Sequence, residues 1–187
     1  MLNINLKQSN LTNIMLKKYI FLLFVLSITF SCSEEKKDDK TVLIDKIEKL
    51  EKDCFDDSSN SYNHNIALKT LVEYQVFINK FPNDSLSEEY LYISAQLSKS
   101  INLYGESVRK YELFIQKYPE SKNAEKAKFM IGMIYENDIK DTIKAKEAYT
   151  SFIETYPNNK LVPDAEFLIT NLSLTDEELI NLLESKN

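Results

Sequence analysis

Phe77-Ile78-Asn79-Lys80-Phe81-Pro82 returns as Phe114-Ile115-Gln116-Lys117-Tyr118-Pro119 and again as Phe152-Ile153-Glu154-Thr155-Tyr156-Pro157. The prolines lie 37 and then 38 residues apart, and a tyrosine precedes each phenylalanine by three positions: Tyr74, Tyr111 and Tyr149. Tyr74, Phe77, Ile78 and Phe81 therefore occupy i, i+3, i+4 and i+7, one face of a helix. The proline that follows drives its predecessor towards extended geometry and ends the helix. After each proline come polar, cap-forming residues: Asn83-Asp84, Glu120-Ser121 and Asn158-Asn159. A helix-ending unit repeated at this period predicts a solenoid of helix pairs.

The composition agrees. The 187 residues include only Gly105 and Gly132 as glycines, four prolines and no tryptophan, with 28% charged and 43% hydrophobic residues. That is a globular balance, not a disordered one. No stretch keeps a period-two alternation between turn residues, so strands are not expected and the fold class is all-α. One domain is enough for the length.

The amino-terminal residues are read as lying outside that fold. Met15-Leu16-Lys17-Lys18 leads into an apolar run, Tyr19 to Phe30, broken only by Ser27 and Thr29. Lysines before a short apolar core describe an export signal, and the run is short for a bilayer span. A membrane-anchoring helix that stays uncleaved is the second reading. Met1 to Ile14 has no assignable role, and Met15 reads as an alternative initiator.

Ile28-Thr29-Phe30-Ser31-Cys32 resembles the lipobox of bacterial lipoproteins. Ser31 suits the small position before the cysteine, whereas Thr29 and Phe30 depart from the family's leucine and small residue. The resemblance implies cleavage before Cys32 and acylation of that residue. The polar run Ser33 to Lys40 is similar to the tether of such proteins, and Ser33 after the cysteine to those sent on to the outer membrane, on its periplasmic face or at the cell surface. Two or more acyl chains anchor where one barely does, at ~0.8 kcal/mol per buried CH₂. Removing residues 1–31 takes away Lys7, Lys17 and Lys18 and no acid, so the net charge of −6 becomes −9. Nucleic acid and anionic lipid surfaces are poor partners for such a body. The one other cysteine, Cys54, ends the helical pattern Leu43, Ile47, Leu50, Cys54 and reads as a small buried hydrophobe.

The expected layout is a signal segment over 1–31, a tether over 32–40 and a helical domain over 41–187. Within the last, repeats span about 41–82, 83–119 and 120–157, followed by a cap over 158–187. The helices expected are Thr41 to Phe55, Ile66 to Phe81, Ser85 to Leu103, one ending at Tyr118, Ala124 to Asn137, Ile143 to Tyr156 and one opened by Pro163-Asp164-Ala165. Asp56 to Asn65 reads as a loop. Ser85-Leu86-Ser87-Glu88 has capping-box spacing, as has Thr175-Asp176-Glu177-Glu178 before a short last helix through Leu183. Gly105 is expected to make the turn into the fourth helix.

Ala127, Gly132 and Tyr135, followed by Ala145, Tyr149, Phe152, Ile153 and Pro157, resemble a tetratricopeptide repeat. The second unit is similar, with Ala95 for the glycine and Ser107 for the second alanine; the first keeps Tyr74 to Pro82. The resemblance implies a right-handed solenoid of antiparallel helix pairs, about three repeats plus carboxy-terminal capping helices. The spacing exceeds the ~34 residues usual for the repeat. With its aromatic-proline endings it is similar to the BamD-type outer-membrane assembly lipoproteins and to the YbgF/CpoB-type periplasmic proteins. In such arrays the first helix of each pair lines a concave face. Carrying that register over aims Glu89, Tyr92, Gln96 and Lys99 into the groove from one helix, and Lys126, Phe129, Met133 and Glu136 from the next. The competing reading is that Tyr92 and Phe129 complete the core between helices.

Chemistry finds little footing. His64 is the single histidine and stands in a polar stretch without cysteine or carboxylate at ligand spacing, so no metal is expected. No phosphate-binding glycine loop or nucleophile elbow is present, and no cofactor is expected. The acidic pairs Glu88-Glu89 and Glu177-Glu178 sit in first turns, where they complement the helix dipole. Gly132 inside a helix costs ~1 kcal/mol relative to alanine and is expected to mark a close approach. The expected function is non-enzymatic: an envelope scaffold that holds another envelope protein or a peptide segment. A surface lipoprotein accessory to nutrient uptake, or to coordination of envelope and division, is the alternative; a hydrolase ranks third.

Overall fold

The computed structural model describes residues 38–56, 61–172, 174, 184 and 185. The readings made above for residues 1–37, Cys32 among them, and for the helix after Thr175 lie outside the described residues. The described helices belong to one compact unit, Asp39–Asn187.

Seven α-helices are found among the described residues: α1 Asp39–Cys54, α2 His64–Lys80, α3 Ser85–Ser100, α4 Tyr104–Lys117, α5 Ala124–Ile134, α6 Thr142–Thr155 and α7 Val162–Asn171. Each packs chiefly against the next in sequence, from α1 on α2 through to α6 on α7. This is an all-α solenoid of helix pairs, α1–α2, α3–α4 and α5–α6, with α7 beginning the cap.

The repeated aromatic-proline endings produce one geometry three times. Phe81 closes α2 at φ −128°, ψ 57°; Tyr118 closes α4 at −130°, 59°; Tyr156 closes α6 at −128°, 60°. In each, the amide of the closing aromatic donates to the carbonyl of the phenylalanine four residues back, at 2.8–2.9 Å. Its own carbonyl then accepts from an amide three residues on, that of Asp84, Ser121 or Asn159, each at 3.0 Å.

The core follows the helical stripe. Phe77, Phe114, Phe152, Tyr111 and Tyr149 are fully buried, and Tyr74 nearly so. Tyr90 of α3 reaches back to stack on Tyr74 at 5.0 Å and meets Phe77 edge-on at 4.9 Å, tying the first pair to the second. Gly132 marks the expected close approach: a Cβ there would lie 2.4 Å from the Tyr149 ring. In the second pair, Ser107 takes the alanine position and is fully buried, its hydroxyl donating to the Ala95 carbonyl at 2.7 Å. A polar atom at a tight crossing is thereby satisfied by the facing backbone.

Several local expectations are corrected. Helix α1 starts at Asp39, so Asp39 and Lys40 leave the tether for the first turn, where Asp39 pairs with Lys80 at 2.8 Å and Lys40 with Asp84. The stretch expected as loop contains two short strands, β1 Phe55–Asp56 and β2 Ser61–Tyr62, in an antiparallel pair that sets Phe55 opposite Tyr62. Edge-to-face contact of those two rings at 5.3 Å clips the ladder together. Asn63 then caps α2, its side chain accepting from the Ile66 amide at 3.2 Å, so His64 lies in a first helical turn, exposed.

The N-cap expected at Ser85 falls one residue earlier. Asp84 is the N-cap, accepting from the Leu86 amide at 3.0 Å, while Glu88 accepts from the Ser121 hydroxyl at 2.6 Å. The turn into α4 is made by Asn102, at φ 64°, rather than by Gly105. Asparagine tolerates that left-handed conformation better than most side chains. Gly105 lies inside α4, with open space around the position of a Cβ. Helix α5 gives way at Tyr135 to a five-residue π-helical turn, Tyr135–Ile139, closed by Lys140 at φ 63°.

Candidate interaction groove

The residues expected to line a groove fall on α3, α5 and the π-helical turn, and the structure divides them. Tyr92 is a core residue, 7% exposed, with its ring against Tyr111 at 5.8 Å and Phe114 at 5.2 Å. Phe129 is half-buried against Tyr149 at 5.5 Å and Phe152 at 5.3 Å. Both aromatic anchors are thus engaged between the two helices of their own pair. Tyr92 is thereby taken into the core, while Phe129 keeps part of its surface exposed. An aromatic at this position fills the space that small residues leave at the crossing.

The remaining positions serve two roles. Met133 packs partly buried against the α6–α7 core. Glu136 accepts a hydrogen bond from the Tyr149 hydroxyl at 2.6 Å, and Lys99 pairs with Asp138 at 3.1 Å. That ion pair joins the end of α3 to the π-helical turn, so the wider turn is a clamp between consecutive pairs. Glu89, Gln96 and Lys126 stay exposed. Of the eight, these three are the side chains most available to a partner.

The first pair repeats the tyrosine–carboxylate motif in another form. Tyr74 of α2 donates to Glu51 of α1 at 2.6 Å, as Tyr149 of α6 donates to Glu136. Burial, and then the carboxylate as acceptor, push both phenols well above the ordinary tyrosine range. Tyr90, close to Tyr74, is pushed up to about 12, mainly by burial. These groups stay neutral donors throughout the physiological range.

Three concavities are relevant. One of about 650 Å³ lies between α6 and α7, where Lys146, Glu147 and Glu154 give it both signs of charge. Another, of about 530 Å³, lies where α4, α5 and α6 meet, again with both signs, from Lys128, Lys144, Glu112 and Glu147. The third, of about 370 Å³, is enclosed by the carboxyl-terminal ends of α1 and α3, the two short strands and α2. Its wall contains Glu51, Tyr74, Phe55, Tyr62 and Gln96 and, among the described residues, no lysine, arginine or histidine. Gln96 was the one residue of this wall that the helical register pointed to. Phe55, Tyr62 and Glu51 were missed, because their convergence depends on the short strands; the pair of aromatics flanking a turn-rich stretch was the available signal.

Cys54 borders the same cavity but is buried and free, its thiol pushed up by desolvation. A raised thiol is a poor nucleophile. Among the described residues no group of three histidine, cysteine or acidic side chains could hold a metal ion. Nor, among them, is any helix long and apolar enough to cross a membrane.

Residues 126–159 match the tetratricopeptide repeat family. The match runs from the first turn of α5 through the π-helical turn and α6 to just past Pro157. It thus contains Gly132 and its contact with Tyr149. A search of the curated proteins returns no match.

Proposed function

We propose that this chain is a lipid-anchored envelope protein whose tetratricopeptide-type solenoid serves as a scaffold for another protein. The observation that carries the scaffold reading is the family match over 126–159, extended by the same helix-closing geometry in the two preceding pairs. Arrays of this kind generally mediate protein–protein contact. The anchor rests on the sequence alone: lysines, a short apolar run, Ser31-Cys32 and an acidic stretch. Cys32 begins the mature protein in this reading and carries the acyl chains, at the outer membrane. A role in outer-membrane protein assembly follows from the resemblance of the repeat spacing to BamD-type lipoproteins.

The test combines fractionation with capture. Cys32→Ser is expected to shift the protein to a soluble fraction or leave it unprocessed. Cleavage at the same place with retention through a carbonate wash overturns the anchor. Crosslinking at the native membrane, followed by purification of the full chain, is expected to bring down one defined protein. Recovery of no crosslinked protein overturns the scaffold.

A further inference from the structure

The cavity between α1, the short strands, α2 and α3 differs from the other two in the chemistry of its wall. Among the described residues of that wall, Glu51 is the only charged one. Of the four hydroxyls among those described residues, three have their hydrogens engaged: Thr70 donates to the Ile66 carbonyl at 2.9 Å, Tyr74 to Glu51 at 2.6 Å and Ser100 to the Gln96 carbonyl at 3.1 Å. A hydroxyl whose hydrogen is engaged in donating a bond retains acceptor lone pairs. Glu51 itself uses one oxygen on Tyr74, out of about four acceptor sites on a carboxylate. The described wall therefore offers mainly acceptors and a negative charge, with the Gln96 amide and the Tyr62 hydroxyl as its polar side-chain donors.

At the same wall stand two large rings that folding has not covered. Phe55 is 40% and Tyr62 41% exposed, and each is held by the other edge-to-face. Aromatic faces beside a carboxylate in a partly desolvated recess favour a flat, donor-rich cation. Guanidinium fits best: five donors in a fixed fork, always charged, able to stack on a ring.

We propose that this cavity receives an arginine side chain presented by an extended segment of a partner protein, with Glu51 as its counter-ion and Phe55 and Tyr62 as its stacking surface. The proposal deepens the scaffold reading and rests on it for the source of the arginine. Charge complementarity supports it at both scales, since the whole chain carries a net charge of −6. An acidic or purely apolar side chain would leave Glu51 desolvated without compensation.

The test uses a flexible glycine-serine nonapeptide with one central arginine, titrated into the detergent-solubilised full chain while side-chain NMR signals of Tyr62 and Gln96 are followed. Saturable shifts at both are expected, weakening as salt is added. The same peptide with citrulline, equal in shape and neutral, is expected to bind about tenfold more weakly or worse. Glu51→Gln is expected to produce a similar loss, and because glutamine still accepts from Tyr74 the melting temperature should hold. Phe55→Ala with Tyr62→Ala, both at exposed positions, should weaken binding as well. Equal binding of citrulline and arginine peptides overturns the proposal, as does unchanged affinity in Glu51→Gln. A crosslinked partner recovered from a protein that ignores the arginine peptide overturns the pocket and spares the scaffold. Peptide binding without any crosslinked partner does the reverse.

Discussion

A Cβ at Gly132 would lie 2.4–2.9 Å from three atoms of the Tyr149 ring, and that ring is fully buried and tethered through its hydroxyl to Glu136. The ring cannot swing away cheaply, so Gly132→Ala should destabilise by ~1–3 kcal/mol in urea unfolding, outweighing the better helix propensity. Gly105→Ala is the opposite case: its Cβ meets nothing within 4 Å, and the substitution should stabilise by ~0.5–1 kcal/mol. Phe114→Ala should cost ~3–5 kcal/mol, since Phe114 is fully buried in the middle pair. Gly132 could be read from the sequence because a glycine in a helix demands a reason. Gly105 misled for the same cause, its turn being made three residues earlier by Asn102. Tyr92 and Phe129 show the limit at this scale. Helical periodicity places a residue on a face but does not say whether a neighbouring helix covers it.

The helices themselves were legible, and their ends less so. Aromatic-proline pairs mark termination without ambiguity, because the proline acts through sterics on its own neighbour. Starts depend on competition between adjacent cap-forming residues. At Asn83-Asp84-Ser85 the charged side chain wins: Asp84 accepts from Leu86 and is held below the usual carboxylate range first by Lys40 and then by that amide. Asp84→Ala should therefore lower the urea midpoint, whereas Ser85→Ala should leave it in place; the reverse order would restore the capping box at Ser85. The Phe55–Tyr62 clip escaped the sequence because two-residue strands carry no alternation to detect. The third cavity escaped with it, since its aromatic wall depends on that clip.

Across the whole unit, four core tyrosines, Tyr74, Tyr90, Tyr111 and Tyr149, share phenols raised chiefly by burial. The unfolded chain loses these protons near pH ~10, before the folded one does. Stability from this source is thus complete below pH ~10 and is lost as pH climbs towards the folded values, by about 1.4 kcal/mol per unit for each tyrosine. Tyr149→Phe should flatten the alkaline fall in the urea midpoint relative to the parent; an equal slope would detach Tyr149 from it. The closing residues Phe81, Tyr118 and Tyr156 agree within 3° in both backbone angles. Such joints are interchangeable parts. Pro82 spliced directly to Glu120 would meet the same bend it meets now, so deletion of residues 83–119 leaves a protein one storey shorter. The number of storeys is then a matter of counting, since every one is closed by the same dihedral pair.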